Sequence, residues 1–176
     1  MADVLKYPST AGFVDGVGSN WVSANNVFAD DGLYASNSSN TKYSSAQLYV
    51  TNFGFNIPDN AEIVGLEVIV EGRNSNGTHR TNNITYIRDP ATSLNDVNSV
   101  NNASGVWSTS YTIYTMGGPT NLWGINLTPT YVNDANFGVH FYMSSATNAV
   151  VTYVDYFAIK IYYKVDGVFC LAMSAF

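Results

Sequence analysis

The chain has 176 residues, a formal net charge of −6 and only 11% charged residues, and its length suits one domain with a hydrophobic core. Apolar residues make up 46% of the sequence, which excludes a disordered chain. The acidic balance disfavours binding to nucleic-acid phosphates. The single cysteine, Cys170, excludes an internal disulfide. We find neither a secretory signal nor an apolar run near the ~20 residues that span a bilayer, and expect a soluble protein made in a cytoplasm.

Strand patterns follow one another along the chain, whereas helical periodicity is almost absent. In chain order, strands are predicted at 46–55, 63–70, 84–88, 111–116, 122–125, 137–143 and 150–165, with one helical turn within 128–134. Residues 92–105, rich in Asn and Ser, are predicted to form a long loop. About seven or eight strands without intervening helices predict an all-β fold, an antiparallel β-sandwich of the jelly-roll type.

The longest predicted strand, 150–165, has an alternating pattern that defines its two faces. Strict alternation puts one set of residues together on one side: Val151, Tyr153, Asp155, Phe157, Ile159, Ile161 and Tyr163.

The chain divides into a Gly-rich N-terminal arm (1–20), the β-sandwich domain (21–165) and an apolar C-terminal tail (166–176). The tail carries no charge after Asp166, and its large apolar residues form a candidate assembly interface: Val168, Phe169, Leu171, Met173 and Phe176. Two interpretations stay open. The tail either adds a strand to its own sandwich or docks on a neighbouring subunit by strand addition or through an apolar patch.

Residues that carry catalysis or bind metals are sparse and scattered. His79 and His140 lie far apart and belong to no spaced zinc motif. Glu67 and Glu71 fall on one face of a predicted strand, where a solvated surface is a better interpretation than a glycosidase pair. We therefore predict no catalytic residues, no enzyme activity, no cofactor and no metal.

The Asp30-Asp31-Gly32 segment permits two interpretations. Its carboxylates are the ligands that Ca²⁺ prefers. The segment lacks the full pattern of a dedicated calcium loop, so a turn capped by an Asp side chain is favoured.

Several phrases occur in a fixed order: 31–35 (DGLYA), 52–58 (NFGFNIP), 61–68 (AEIVGLEV), 117–124 (GGPTNLWG), 132–139 (VNDANFGV) and 154–163 (VDYFAIKIYY). In this order the chain resembles structural proteins of tailed bacteriophages and related bacterial domains, over roughly residues 21–163. The resemblance implies a β-sandwich virion component and no known catalytic residues.

On this basis we expect a non-enzymatic virion structural protein, first of all a capsid decoration (cement) protein that oligomerises and stabilises the particle. Its expected partners are the major capsid protein or neighbouring subunits. We expect a homo-oligomer, for example a trimer. Neither nucleic acid nor a membrane is an expected partner, and the expected location is the virion.

The alternative is a carbohydrate-binding β-sandwich module, for example on a tail or head fibre that contacts host glycans. Aromatic rings stack on sugar rings, and Trp107 and Trp123 near Asn-rich segments are the candidate glycan contacts. Large aromatic residues also fill the core and the ends of a sandwich, so this assignment depends on whether the two rings are exposed.

Overall fold

The computed structural model describes residues 1–14, 20–39, 46–75, 81–105, 107–145 and 150–165. These residues form two antiparallel sheets packed around a shared core, with a 3₁₀ turn (Ala24–Val27) and one short helix, α1 (Pro129–Asn133). The strands are β1 (Ala2–Lys6), β2 (Thr10–Val14), β3 (Ala35–Ser39), β4 (Gln47–Thr51), β5 (Ala61–Asn74), β6 (Thr81–Arg88), β7 (Asn95–Gly105), β8 (Thr112–Gly118), β9 (Gly138–Ser145) and β10 (Val150–Val165).

The first sheet has the order β1-β10-β5-β8. Strand β3 also belongs to it and pairs with the first residues of β10, whereas β1 pairs with later residues of β10. The second sheet has the order β2-β4-β9-β6-β7. Strands β3 to β10 are distributed between the sheets in the connectivity of a jelly roll, which confirms the predicted fold class. Strands β1 and β2, within the segment predicted as an N-terminal arm, each add an edge strand, on β10 and β4 respectively.

Two predicted elements are wrong, and a third, the strand predicted at 46–55, is present but shorter than predicted. Strand β4 ends at Thr51 because Asn52 and Gly54 take positive φ values of 58° and 65°. Residues 122–125 form a turn rather than a strand, and Trp123 within it has a φ of 58°. Residues 95–105, predicted as loop, form β7 because their backbone pairs with β6, and an edge strand needs no alternation of apolar side chains to make those hydrogen bonds.

The predicted helical turn is confirmed as α1. Thr128 precedes it in an extended conformation and its side chain accepts a hydrogen bond from the backbone N–H of Tyr131 at 3.2 Å. Pro129 occupies the first turn, where its missing N–H costs nothing. In the part of the chain that the structure describes, no helix has the length and apolar character to cross a membrane.

A β-bulge in β10 decides which of its residues face the core. The pairing with β5 shifts between Val154, opposite Gly72, and Tyr156, opposite Glu71, so Asp155 is the extra residue. The bulge reverses the alternation. The apolar residues of β10 that are 0% exposed are Val150 and Val154 before the bulge, and Phe157, Ile159 and Ile161 after it. The prediction that Val151, Tyr153 and Asp155 share a face with Phe157 is therefore wrong, and these three lie on the outer side of the first sheet.

Candidate functional site

The outer side of the first sheet carries a group of aromatic rings around one arginine, here called the tyrosine cluster: Tyr34, Tyr111, Tyr153 and Arg73. Arg73 on β5 lies directly opposite Tyr153 on β10, and its Cζ atom is 4.1 Å from the centre of the Tyr153 ring and 5.2 Å from that of Tyr111. The Tyr34 ring packs edge-on against Tyr153 at 5.0 Å and lies 6.1 Å from Tyr111. Tyr34 and Tyr111 directly precede β3 and β8, and Arg73 and Tyr153 lie on the paired strands β5 and β10.

Two of these rings are open to solvent. Tyr34 is 39% exposed and Tyr111 is 36% exposed. Burial raises the pKa of Tyr111, while a hydrogen bond with the Arg73 guanidinium lowers it. The cluster therefore offers aromatic surface, phenol hydroxyls and fixed guanidinium donors in one place.

Beside the tyrosine cluster lies a carboxylate cluster: Asp30, Glu71 and Asp155. One carboxylate oxygen from each lies within 4.8 Å of the others. Asp155 comes from the bulge, Glu71 from the opposite position on β5, and Asp30 from the segment that leads to β3. The backbone N–H of Gly32 donates to Asp155 Oδ2 at 3.3 Å, so the segment is attached to the sheet across 123 residues of sequence.

The carboxylate cluster concentrates negative charge. Asp155 is only 4% exposed, and burial raises its pKa; the Gly32 hydrogen bond partly offsets this, and Asp30 raises the pKa further. The pKa of Glu71 is raised by burial, then by the charges of Asp30 and Asp155. Within the described ranges, the ion pairs are Asp3 with Lys160 and Glu62 with Lys164; neither involves this cluster.

The predicted turn at Asp31 is confirmed, because Asp31 Oδ1 accepts a hydrogen bond from the backbone N–H of Leu33 at 2.9 Å. The two glutamates that were predicted to share a strand face make different contacts. Glu67 and Glu71 do share the outer face of β5, yet Glu67 accepts a hydrogen bond from the Tyr162 hydroxyl at 3.1 Å, whereas Glu71 joins the carboxylate cluster.

The outer side of the second sheet also carries tyrosines, but they are more deeply packed. Tyr86 and Tyr142 lie nearly parallel, with ring centres 6.1 Å apart, and burial followed by a hydrogen bond with Tyr86 raises the pKa of Tyr142 to about 12. Arg88 covers the Tyr49 ring at 5.4 Å and donates to the Asn136 carbonyl at 2.5 Å. The Tyr142 hydroxyl and one Arg88 nitrogen are thus engaged within the protein.

The two tryptophans predicted as glycan contacts are buried. Trp107 is 1% exposed and stacks between Tyr114 and Phe141, at 4.5 and 5.6 Å. Trp123 is 5% exposed, and its Nε1–H donates to the Leu66 carbonyl at 3.0 Å. The structure leaves neither ring face open to a sugar, because both rings fill the core.

The remaining predicted site residues lie outside the described residues. These are the tail positions Val168, Phe169, Leu171, Met173 and Phe176, together with His79. None of the four members of the tyrosine cluster stands out in the sequence. The abundance of tyrosine, 13 residues in all, is the only signal for it, and this count does not say which rings meet.

Comparison with known protein families and with curated proteins gives no match. Solved structures do match in fold. One is the CBM22-1 xylan-binding domain of Paenibacillus barcinonensis Xyn10C, with a TM-score of 0.43 and 9% identity over 90% of this chain and 92% of that one. Another is the family 11 carbohydrate-binding module of the cellulase Lic26A-Cel5E of Clostridium thermocellum, with a TM-score of 0.45 and 12% identity over 94% and 92%.

A third is the CBM22-1 and GH10 portion of Clostridium thermocellum xylanase 10B in complex with xylohexaose, with a TM-score of 0.43 and 12% identity over 93% of this chain and 30% of that one. At such TM-scores we draw no conclusion about function from these similarities. The function of this chain has to be inferred from its own residues.

Proposed function

We propose that the chain is a carbohydrate-binding β-sandwich module and that the tyrosine cluster is its binding surface. The observation that carries the proposal is the pair of exposed rings, Tyr34 and Tyr111, beside the Arg73 guanidinium. Aromatic rings with a polar tip suit a ligand that is apolar on its ring faces and hydroxylated at its edge. A sugar ring has this character.

The geometry fits one sugar ring or two linked ones. The Tyr34 and Tyr111 ring planes meet at 38° with their centres 6.1 Å apart, which forms a shallow, angled ledge. Arg73 offers five N–H donors in a rigid fork, and the hydroxyls of Tyr34 and Tyr111 both donate and accept. Hydroxyl groups of a bound sugar therefore find both donors and acceptors at the edge of the ledge.

We expect Tyr111→Ala to weaken glycan binding by about tenfold, the loss of a central aromatic contact. The measurement is calorimetric titration of the whole chain with soluble neutral and host-surface polysaccharides, after an array has identified the ones that bind. Tyr34→Ala should give a similar loss, because the two rings form one ledge. Both variants should keep the wild-type melting temperature within a few degrees, since both side chains are largely outside the core.

Tyr86→Ala, on the second sheet, is the matched control and should leave glycan affinity unchanged. If Tyr86→Ala abolishes binding while Tyr34→Ala and Tyr111→Ala do not, the binding surface lies on the second sheet. If the wild-type chain binds no polysaccharide on the array, the proposed function is wrong.

A virion structural role remains the second candidate. It rests on the sequence resemblance to tailed-phage structural proteins, and the tyrosine cluster adds one observation, since Tyr and Arg are also enriched where proteins contact each other. Exposed apolar side chains lie on the same sheet and the segment leading to it, with Leu33 58% and Ile113 57% exposed. Such a surface suits a neighbouring subunit as well as a glycan.

If this second candidate is right, the whole chain should be an oligomer by light scattering. A chain that ends at Val165 should be a folded monomer, because the apolar tail would supply the contact. If both chains are monomers with equal melting temperatures, the tail does not oligomerise the free protein.

A further inference from the structure

The buried carboxylate of Asp155 has an oxygen without a hydrogen-bond partner. Among the described residues, no donor lies within bonding geometry of its Oδ1 atom, although the side chain is 4% exposed. Glu71 and Asp30 each bring a carboxylate oxygen within 4.8 Å of an Asp155 carboxylate oxygen. A buried, unpaired carboxylate is costly unless it is neutralised by a partner or binds a metal ion.

The bulge makes this arrangement possible. The bulge adds Asp155 between Val154, which lies opposite Gly72, and Tyr156, which lies opposite Glu71. Bulges re-aim side chains and occur next to functional sites. Here the extra residue brings the carboxylate of β10 to that of β5, and the third comes from the segment at Asp30.

We propose that Asp30, Glu71 and Asp155 bind a calcium ion. The three donors are oxygens, which Ca²⁺ prefers, whereas zinc sites use His and Cys. Ca²⁺ takes its oxygens at about 2.3–2.6 Å, so two of its ligands lie at most about 5 Å apart. The oxygens of this cluster lie within 4.8 Å of one another, inside that span, while Mg²⁺ demands a near-ideal octahedral geometry that three carboxylates do not supply.

The ion would fasten a surface segment to the sheet. Asp30 lies four residues before Tyr34, and the backbone N–H of Gly32 in the same segment donates to Asp155. A bound cation joins Asp30 to β5 and β10 and so holds the chain that carries Tyr34. The calcium site does not depend on the proposed glycan binding.

The test is calorimetric titration of the EDTA-treated, dialysed whole chain with CaCl₂, followed by melting curves in EDTA and in millimolar CaCl₂. We expect one ion per chain with a Kd below about 1 mM, and a higher melting temperature with calcium. MgCl₂ should bind at least about tenfold more weakly.

Glu71→Gln and Asp155→Asn should each weaken calcium binding by about tenfold or more. Glu62→Gln is the matched control, since Glu62 lies on the same strand, is exposed and contacts Lys164; it should bind calcium as the wild type does. If Asp155→Asn does not fold, Asp30→Asn at the exposed edge of the cluster replaces it.

Two results would overturn the proposal. The first is an absence of calcium binding by the wild-type chain. The second is calcium binding that persists in Glu71→Gln, Asp155→Asn and Asp30→Asn. Glycan binding does not enter either readout, so the two proposals fail separately.

Discussion

Replacement of Trp107 with alanine is expected to lower the free energy of unfolding by about 3–5 kcal/mol, the cost of deleting a fully buried large aromatic side chain. The indole stacks nearly parallel to Tyr114, at an interplanar angle of 7°, and also packs against Phe141. It lies so close to Gly72 that a Cβ atom there would collide with the ring. Alanine would leave a cavity between the two sheets that these neighbours do not fill.

Urea unfolding followed by circular dichroism measures this loss. Trp107→Phe should lose less than Trp107→Ala, because the ring still fills part of the site. Tyr111→Ala is the surface control and should change the free energy of unfolding by about 0.5 kcal/mol or less. A Trp107→Ala chain with near wild-type stability but no glycan binding would return this residue to the role of a glycan contact.

Acidification from pH 6.5 towards pH 4 is expected to destabilise the protein through His140. This side chain is 2% exposed, and burial, with a smaller contribution from the charge of Arg88, lowers its pKa to about 4. The unfolded chain takes up a proton near pH 6.5, whereas the folded chain does so only near pH 4. Stability is therefore full above pH 6.5 and falls as the pH decreases between these values, by about 3 kcal/mol at most.

His140→Gln isolates this effect because glutamine does not titrate. The measurement is the free energy of unfolding of both chains at several pH values from 7.5 to about 4.5. The wild type should lose about 2–3 kcal/mol more than the variant over this range. The raised pKa values of Glu71 and Asp155 act in the opposite direction, favouring the folded state at lower pH, but they are common to both chains. Parallel pH profiles would show that His140 is not buried in its neutral form.

Local features of the fold could be predicted from the sequence. The alternation in β5 and β9 is a property of neighbouring residues, and it indicates two-sided strands without knowledge of their partners. Thr128 and Pro129 specify the start of α1 in the same local way.

The bulge at Asp155 could not be predicted from the sequence, because it depends on how β10 pairs with β5. Alternation read through 150–165 puts Asp155 on the side of Phe157, and no residue in that stretch marks the point where the pattern reverses. The reversal appears only when β10 is aligned with β5, because it consists of one more residue on one strand than on its partner. Strand β7 was missed for the same reason, since pairing with β6 rather than its own side-chain pattern makes it a strand.

Composition and local pattern therefore determined that this chain is an antiparallel β-sandwich, rich in tyrosine and poor in charged residues. Only the tertiary structure decided which rings are open to solvent. It buried Trp107 and Trp123, whose size made them candidates, and left Tyr34 and Tyr111 exposed. It also gathered Asp30, Glu71 and Asp155 from distant parts of the chain. The physical reason is that hydrogen bonding between strands and packing between sheets are non-local, so the neighbours of a side chain are set by residues far away in sequence.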